Sequence, residues 1–185
     1  MTLTKTIFRK KCLQKMKKLP QYNKNYQMAR LMSTLEKVIE KQQGKRILFY
    51  YPLDFEADIR KLLQKMRRKK DVYLPFMEGE SFKMVPFRLP LTRKKFGVYE
   101  AGNSLRQIKN IDIMIVPSIG VDGSFQRIGF GKGMYDRFFA KLRKKPYIIF
   151  VQPQLCFTQE KICDDYDITC NLLVTPCATL KNRKY

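Results

Sequence analysis

The stretch Arg127-Ile-Gly-Phe-Gly-Lys-Gly-Met-Tyr-Asp-Arg137 constrains this chain more than any other. Glycines alternate with other residues at 129, 131 and 133, and an apolar run, Phe138-Phe-Ala140 with Leu142, follows at once. Upstream, Ile113-Met-Ile-Val116 is a short apolar run closed by Pro117, the pattern of a buried strand. A strand therefore leads through a loop into a glycine-rich turn, and the turn opens a helix. Glycine permits positive φ and lets backbone N–H groups face a ligand unobstructed. Backbone donors at a helix start favour anions. Lys132 adds a full charge, and Asp136 is an oxygen ligand suited to a metal that bridges phosphates.

The spacing alone meets neither standard phosphate fingerprint. Met134 stands where a dinucleotide motif has its third glycine, and no Ser or Thr follows Gly131-Lys132 as a P-loop requires. A Gly-x-Gly-x-Gly run is also compatible with a plain sharp turn. The Lys, Tyr, Asp and Arg packed around it are what favour an anion site.

The 185 residues suit one domain, 1–185, with a core of its own. A hydrophobic fraction of 44% and 13 phenylalanines argue against disorder. No apolar run approaches bilayer-spanning length, and the start is too basic for a secretory signal. The expectation is a cytoplasmic protein with no membrane partner. Cysteines 156, 163, 170 and 177 recur every seven residues, but without close pairs or histidine they do not read as a zinc site. The thiols are expected to be reduced, with Cys170 inside a strand. The net charge of +22 invites a nucleic-acid reading. Yet the cations are scattered and about two thirds are lysine, which describes a solvated surface better than a base-reading one.

Along the chain, Leu3, Ile7, Leu13 and Met16 mark a helix over residues 3–18, with Lys5 and Arg9 on one face. Met28, Leu31, Met32, Leu35, Val38 and Ile39 form the apolar stripe of a second helix, stopped by Gly44. Strands are expected at 46–51, 71–75, 82–87, 111–117, 147–151 and 168–174. Helices are expected around Ile59–Met66 and after Tyr135, and residues 88–110 read as a loop. Such an order describes an α/β fold: a three-layer domain whose mainly parallel sheet is covered by helices. Glu56, just beyond the first strand, points to a ligand crevice or caps the next helix.

Several separated motifs together resemble the 5-formyltetrahydrofolate cyclo-ligase (methenyltetrahydrofolate synthetase) family over nearly the whole chain. Lys5-Thr-Ile-Phe-Arg9 looks like its N-terminal Lys/Arg pair, and Glu56-Ala-Asp58-Ile looks like its acidic block without the usual threonine. Val116-Pro117 through Arg137 resembles its long signature, with Met134 in place of a first tyrosine before Tyr135-Asp136. Gln154-Leu155, Asp167 and Thr175 look like its closing block, in which Asn171 and Pro176 replace residues that are usually acidic. Glu100-Ala101 lacks the proline common after that Glu.

The resemblance implies a three-layer α/β domain of the NagB/RpiA/CoA transferase-like kind. It also implies ATP- and magnesium-dependent conversion of 5-formyltetrahydrofolate, in some forms polyglutamylated, to 5,10-methenyltetrahydrofolate. By the same resemblance, Lys5, Arg9, Arg127, Gly129, Phe130, Gly131, Lys132, Gly133 and Asp136 would bind ATP. Asp136 and Asp167 would hold Mg. Tyr51, Glu56, Met134 and Tyr135 would contact the folate, and Lys132, Tyr135 and Asp136 would serve catalysis. No nucleic acid is required. The rival from another class is a basic nucleic-acid-binding protein on this fold, which would need none of Glu56, Asp136 or Asp167.

Overall fold

The computed structural model describes residues 2–18, 23–94, 97–106 and 108–184. Its first helix, α1 (Lys5–Lys17), is capped by Thr4, whose side chain accepts from the Ile7 amide at 3.3 Å. An amphipathic helix follows, α2 (Lys24–Lys41), then β1 (Arg46–Leu48), α3 (Arg60–Met66), β2 (Asp71–Glu78) and β3 (Ser81–Pro86). Short pairs come next: β4 (Thr92–Arg93) with β5 (Tyr99–Glu100), and, after β6 (Ile113–Pro117), β7 (Gly120–Val121) with β8 (Arg127–Ile128). The chain closes with α4 (Met134–Ala140), β9 (Tyr147–Val151), β10 (Leu172–Val174) and β11 (Thr179–Lys181).

A seven-stranded sheet in the order β11-β10-β9-β6-β1-β2-β3 organises these elements. Neighbours from β10 to β2 run parallel, and an antiparallel strand closes each edge. The α/β, mainly parallel reading is thus met. The central strands are buried on both faces, as the unbroken apolar runs of β6 and β9 require. Within β6 the faces alternate with period two. Ile113 and Ile115 join the core made by α2 and α3, whereas Met114 and Val116 join the core containing Phe138 of α4. Helices therefore cover both faces. A third cluster seats α1, through Phe8, Cys12 and Met16, against Ile119, Ile128 and Cys156.

Several expectations change. The first strand ends at Leu48, not residue 51. The strand at 71–75 continues to Glu78 and turns directly into β3 as a hairpin. Within the expected loop lies the β4–β5 pair, and residues 95, 96 and 107 of that loop lie outside the described residues. The last strand begins at Leu172, because residues 168–170 bond to the loop around Phe125 and Arg127 instead. Cys170 is accordingly buried and free, but outside the strand.

The expectation of reduced thiols is overturned at one pair. Cys12 on α1 and Cys156 beyond β9 form a disulfide with Cα atoms 5.8 Å apart, while Cys163, Cys170 and Cys177 are free. The packing of α1 on the β7–β8 region presents the two sulfurs to each other, and their separation of 144 residues hid this in sequence. A cross-link over so long a loop restricts the unfolded chain strongly. Cys12→Ser is expected to lower unfolding free energy by about 3 kcal/mol in oxidising buffer and by far less in reducing buffer. Parallel denaturant titrations with and without dithiothreitol measure the difference. Among the described residues, no helix is long and apolar enough to cross a membrane.

Candidate active site

The connection after β1 leaves toward β2 on one side, and the connection after β6 leaves toward β9 on the other. Adjacent strands whose connections diverge leave a crevice at their carboxyl ends, where ligands of open α/β sheets bind. Here the crevice is lined by Glu56 beyond β1, by Pro117 and Ser118 at the end of β6, by Val151 at the end of β9, and by Phe130 of the glycine-rich turn. Phe130 meets Phe55 edge-on, with ring centroids 5.1 Å apart. The sheet topology thus brings the acidic block and the long signature to one place.

Arg127 is the electrostatic centre. It is only 8% exposed, donates from Nε to the Pro117 carbonyl at 2.8 Å, and lies 4.8 Å over the Tyr135 ring. Burial pulls its pKa down, while Tyr135, Asp136, Glu56 and Asp167 pull it back up. Arg127 therefore lies within Coulombic reach of these four side chains, although among the described residues none of the carboxylates makes an ion pair with it. Gly129 is dictated by it, since any Cβ there would collide with the Arg127 guanidinium.

Two further cations arrive on α1. Arg9 donates from Nε to the Gly129 carbonyl at 2.7 Å, which fixes the guanidinium beside Gly131. Lys5 pairs with Asp167 and, at 3.3 Å, with Asp164. Burial lowers the Lys5 pKa, but the bond and charge of Asp167 outweigh it, and the net shift is upward. Lys5 and Arg9 are one helical turn apart, so a single packed face delivers both.

The glycine-rich turn enters α4 with Gly131 at φ 91° and Gly133 at φ 58°, values in the left-handed region. Its helix spans only 7 residues and has no side-chain cap, so the dipole offers less than the sequence reading assigned to it. Positive charge at the site comes from side chains instead. Arg137 holds the turn, donating to the Lys132 carbonyl at 2.5 Å and to Glu80 of the β2–β3 hairpin at 2.8 Å. Lys132 itself is on the exposed part of the turn. Met134 is half-buried, and its carbonyl accepts from the Ser81 hydroxyl at 3.3 Å.

Asp136 accepts the Ile168 amide at 3.1 Å, and Asp167 accepts the Asp164 amide at 2.8 Å, so the two carboxylates are held by one loop. Among the described residues, no group of three or more such ligands gathers. Two anchored carboxylates suit magnesium, a hard ion that usually takes one or two of them together with phosphates and water. Burial pushes Glu56 up to about 7, against the bond from the Leu53 amide, 3.0 Å from Oε2, and the charge of Arg127. Burial likewise pushes the Tyr135 hydroxyl up, so it stays protonated at neutral pH.

Tyr51 turns elsewhere, its ring 5.4 Å from that of Tyr99. Its neighbour Tyr50, which the sequence did not single out, is the buried one: it bonds the Ala57 carbonyl at 2.8 Å and feels both Glu56 and Tyr135. Asp164 and Ser118 were also missed, and Arg137, read from sequence as part of an anion site, instead bonds the Lys132 and Glu80 carbonyls.

A family model for the 5-formyltetrahydrofolate cyclo-ligase family matches residues 2–175. A 5-formyltetrahydrofolate cyclo-ligase from Haemophilus influenzae is 28% identical over 120 residues, which span 60% of this chain and 64% of that protein. A probable cyclo-ligase from Schizosaccharomyces pombe is 26% identical over 132 residues, 61% of this chain and 65% of that one. The aligned stretches thus span slightly less than two thirds of these curated relatives. The solved structure of an Aquifex aeolicus 5,10-methenyltetrahydrofolate synthetase superposes with a TM-score of 0.83 at 26% identity, covering 98% of this chain and 94% of that one. A Mycoplasma pneumoniae 5,10-methenyltetrahydrofolate synthetase shares the fold, with a TM-score of 0.70 at 20% identity over 94% and 99% of the two chains. Spanning all but the last ten residues after Met1, the match establishes that this chain belongs to the 5-formyltetrahydrofolate cyclo-ligase family.

Proposed function

We propose that the chain closes 5-formyltetrahydrofolate to 5,10-methenyltetrahydrofolate at the expense of ATP, with magnesium, releasing ADP and phosphate. One observation carries the reading: Lys5 pairs with Asp167 and Arg9 bonds the Gly129 carbonyl from one face of α1, beside a buried Arg127 that lies over the Tyr135 ring and within Coulombic reach of Glu56, Asp136 and Asp167. Cations, carboxylates and an apolar crevice in one place are what a nucleotide and a reduced pterin need together.

A formamide is a poor electrophile and its oxygen a poor leaving group; a phosphoryl group from ATP on that oxygen cures both defects. The neighbouring folate amine then bonds to the formyl carbon, losing its proton, and the carbon–oxygen bond breaks to release phosphate. Reaction of this kind depends on position and charge stabilisation. Lys5, Arg9 and Arg127 gather phosphate oxygens around the Gly129–Gly133 turn, with Lys132 at its rim. Asp136 and Asp167 would hold magnesium, which would supply positive charge against a triphosphate there. Lys5 then exchanges part of its contact with Asp167 for phosphate.

Glu56 suits the proton that the amine must lose. A carboxyl near 7 is present in both forms at neutral pH, which is where a general base works best. Tyr135 donates a hydrogen bond from a hydroxyl that does not ionise, and Met134 and Phe130 supply apolar surface. The partner is thus a small molecule, and neither a membrane nor a nucleic acid is needed. A cytoplasmic setting, where both substrates reside, accords with this reading and would favour opening of the Cys12–Cys156 bridge. Incubation with ATP, magnesium and 5-formyltetrahydrofolate is expected to raise near-ultraviolet absorbance as the methenyl product accumulates. No rise beyond the ATP-free control sinks the proposal.

A further inference from the structure

The mechanism above leaves one buried polar atom of the crevice unused. Ser118 is 4% exposed, and its hydroxyl has no hydrogen-bond partner among the described residues. A buried hydroxyl without a partner forfeits hydration and gains nothing for the fold. Its backbone is nonetheless rigidly placed. The Ser118 amide donates to the Val151 carbonyl at 3.1 Å, and the preceding Pro117 carbonyl accepts from Arg127 at 2.8 Å. The hydroxyl is therefore held at the carboxyl end of β6, between the end of β9 and the buried cation.

Its surroundings decide what the group is for. Ser118 shares the crevice with Glu56 and otherwise with apolar surface from Met16, Phe55, Ile119 and Phe130. Binding sites of this make-up use a few fixed polar atoms to orient a ligand that apolar walls merely enclose. A polar atom that the fold leaves unpaired, next to a carboxylate and walled by carbon, discriminates strongly for a ligand that pairs with it.

Building on the functional reading above, we propose that Ser118 is a specificity-determining residue of the folate site. Its hydroxyl pairs with the polar edge of the pterin, a ring N–H or the ring carbonyl, while Glu56 addresses the reacting amine. A hydroxyl both donates and accepts, so it serves either edge without a change in protonation. The contact is assigned to the folate because the cations assigned to the phosphates, Lys5, Arg9 and Lys132, do not line this part of the crevice.

Ser118→Ala separates this role from a structural one. Removal of an unpaired buried hydroxyl leaves the thermal midpoint unchanged or raises it. The KM for 5-formyltetrahydrofolate is expected to rise about tenfold, with the KM for ATP and kcat within about twofold, as loss of a single binding hydrogen bond predicts. Calorimetric titration with 5-formyltetrahydrofolate in the absence of ATP is expected to show the same tenfold loss. Ser118→Cys, nearly the same size and a weaker donor, falls between the two. A folate KM and titration within twofold of wild type overturn the proposal, as does a lowered thermal midpoint in both variants, which makes the hydroxyl a structural group. If wild type itself takes up no 5-formyltetrahydrofolate, the functional reading fails, and the serine proposal with it. Equal uptake by wild type and variant removes the serine proposal alone.

Discussion

Glu56→Gln is expected to make the protein more stable and nearly inactive. The carboxyl titrates at about 7 in the fold against an ordinary 4.5, chiefly because burial penalises its charge. A group whose folded pKa is raised contributes stability that is complete below the unfolded pKa and lost as pH rises through the folded one. Glu56 therefore costs wild type stability progressively between about pH 4.5 and 7. The full span of that shift corresponds to roughly 3 kcal/mol. Glutamine keeps the acceptor for the Leu53 amide and carries no charge, so the variant escapes this loss. Its thermal midpoint is expected to match wild type near pH 4 and to exceed it by roughly 6–12 °C at pH 8. Over the same range, kcat/KM of wild type rises with pH through about 7, and the variant loses roughly 10²–10⁴-fold in rate. Thermal scans and initial rates from pH 5 to 8 measure both. A variant that retains a tenth of the rate, or that is less stable at pH 8, contradicts the role assigned to Glu56.

Such a trade explains why parts of this site were legible and others were not. The strand at 147–151 and the strand–turn–helix from Ile113 to Ala140 follow from unbroken apolar runs, Pro117 and alternating glycines, so local signals agree with the fold. Where side chains or backbone serve a distant partner, local signals mislead. Ile168, Thr169 and Cys170 have strand composition, yet the Ile168 carbonyl accepts the Arg127 amide at 2.9 Å and Cys170 donates to Phe125 at 3.0 Å, so the central sheet gains only Leu172–Val174. Pro75 suggested a strand end, but β1 pairs with β2 only as far as Tyr73, and beyond that point a missing N–H is tolerated. Leu180 on the edge strand β11 sits between two exposed neighbours, too short a pattern to read. Lys5, Arg9, Glu56 and Asp167 emerged through family resemblance, because nothing in their own spacing brings residues 5 and 167 together. Ser118 and Tyr50 carry no one-dimensional mark at all: an unpaired hydroxyl is a property of the surroundings.

Arg127→Met should damage the site more than loss of either α1 cation. The side chain fits the space, but Glu56, Asp136 and Asp167 lose a buried positive charge within Coulombic reach, and the Pro117 carbonyl loses its donor. Leaving the buried Pro117 carbonyl without its donor costs about 1–3 kcal/mol, and the lost Coulombic attraction adds to it. Arg127→Lys does not rescue it. Lysine restores a charge, yet it lacks the planar fork that bonds Pro117 while lying over the Tyr135 ring. The pair of variants also separates charge from geometry. After the Leu53 amide bond, the charge of Arg127 is the second influence that holds Glu56 down, so in the Met variant the rise of residual activity with pH should move above the wild-type position near 7. In the Lys variant it should remain closer to that position while ATP affinity falls, since a point charge replaces a fixed guanidinium. Urea unfolding, nucleotide titration and the pH–rate curve together read all three effects. Wild-type stability and nucleotide affinity in Arg127→Met would mean that the four acidic and phenolic groups are held by something else, and the site as drawn would have no centre.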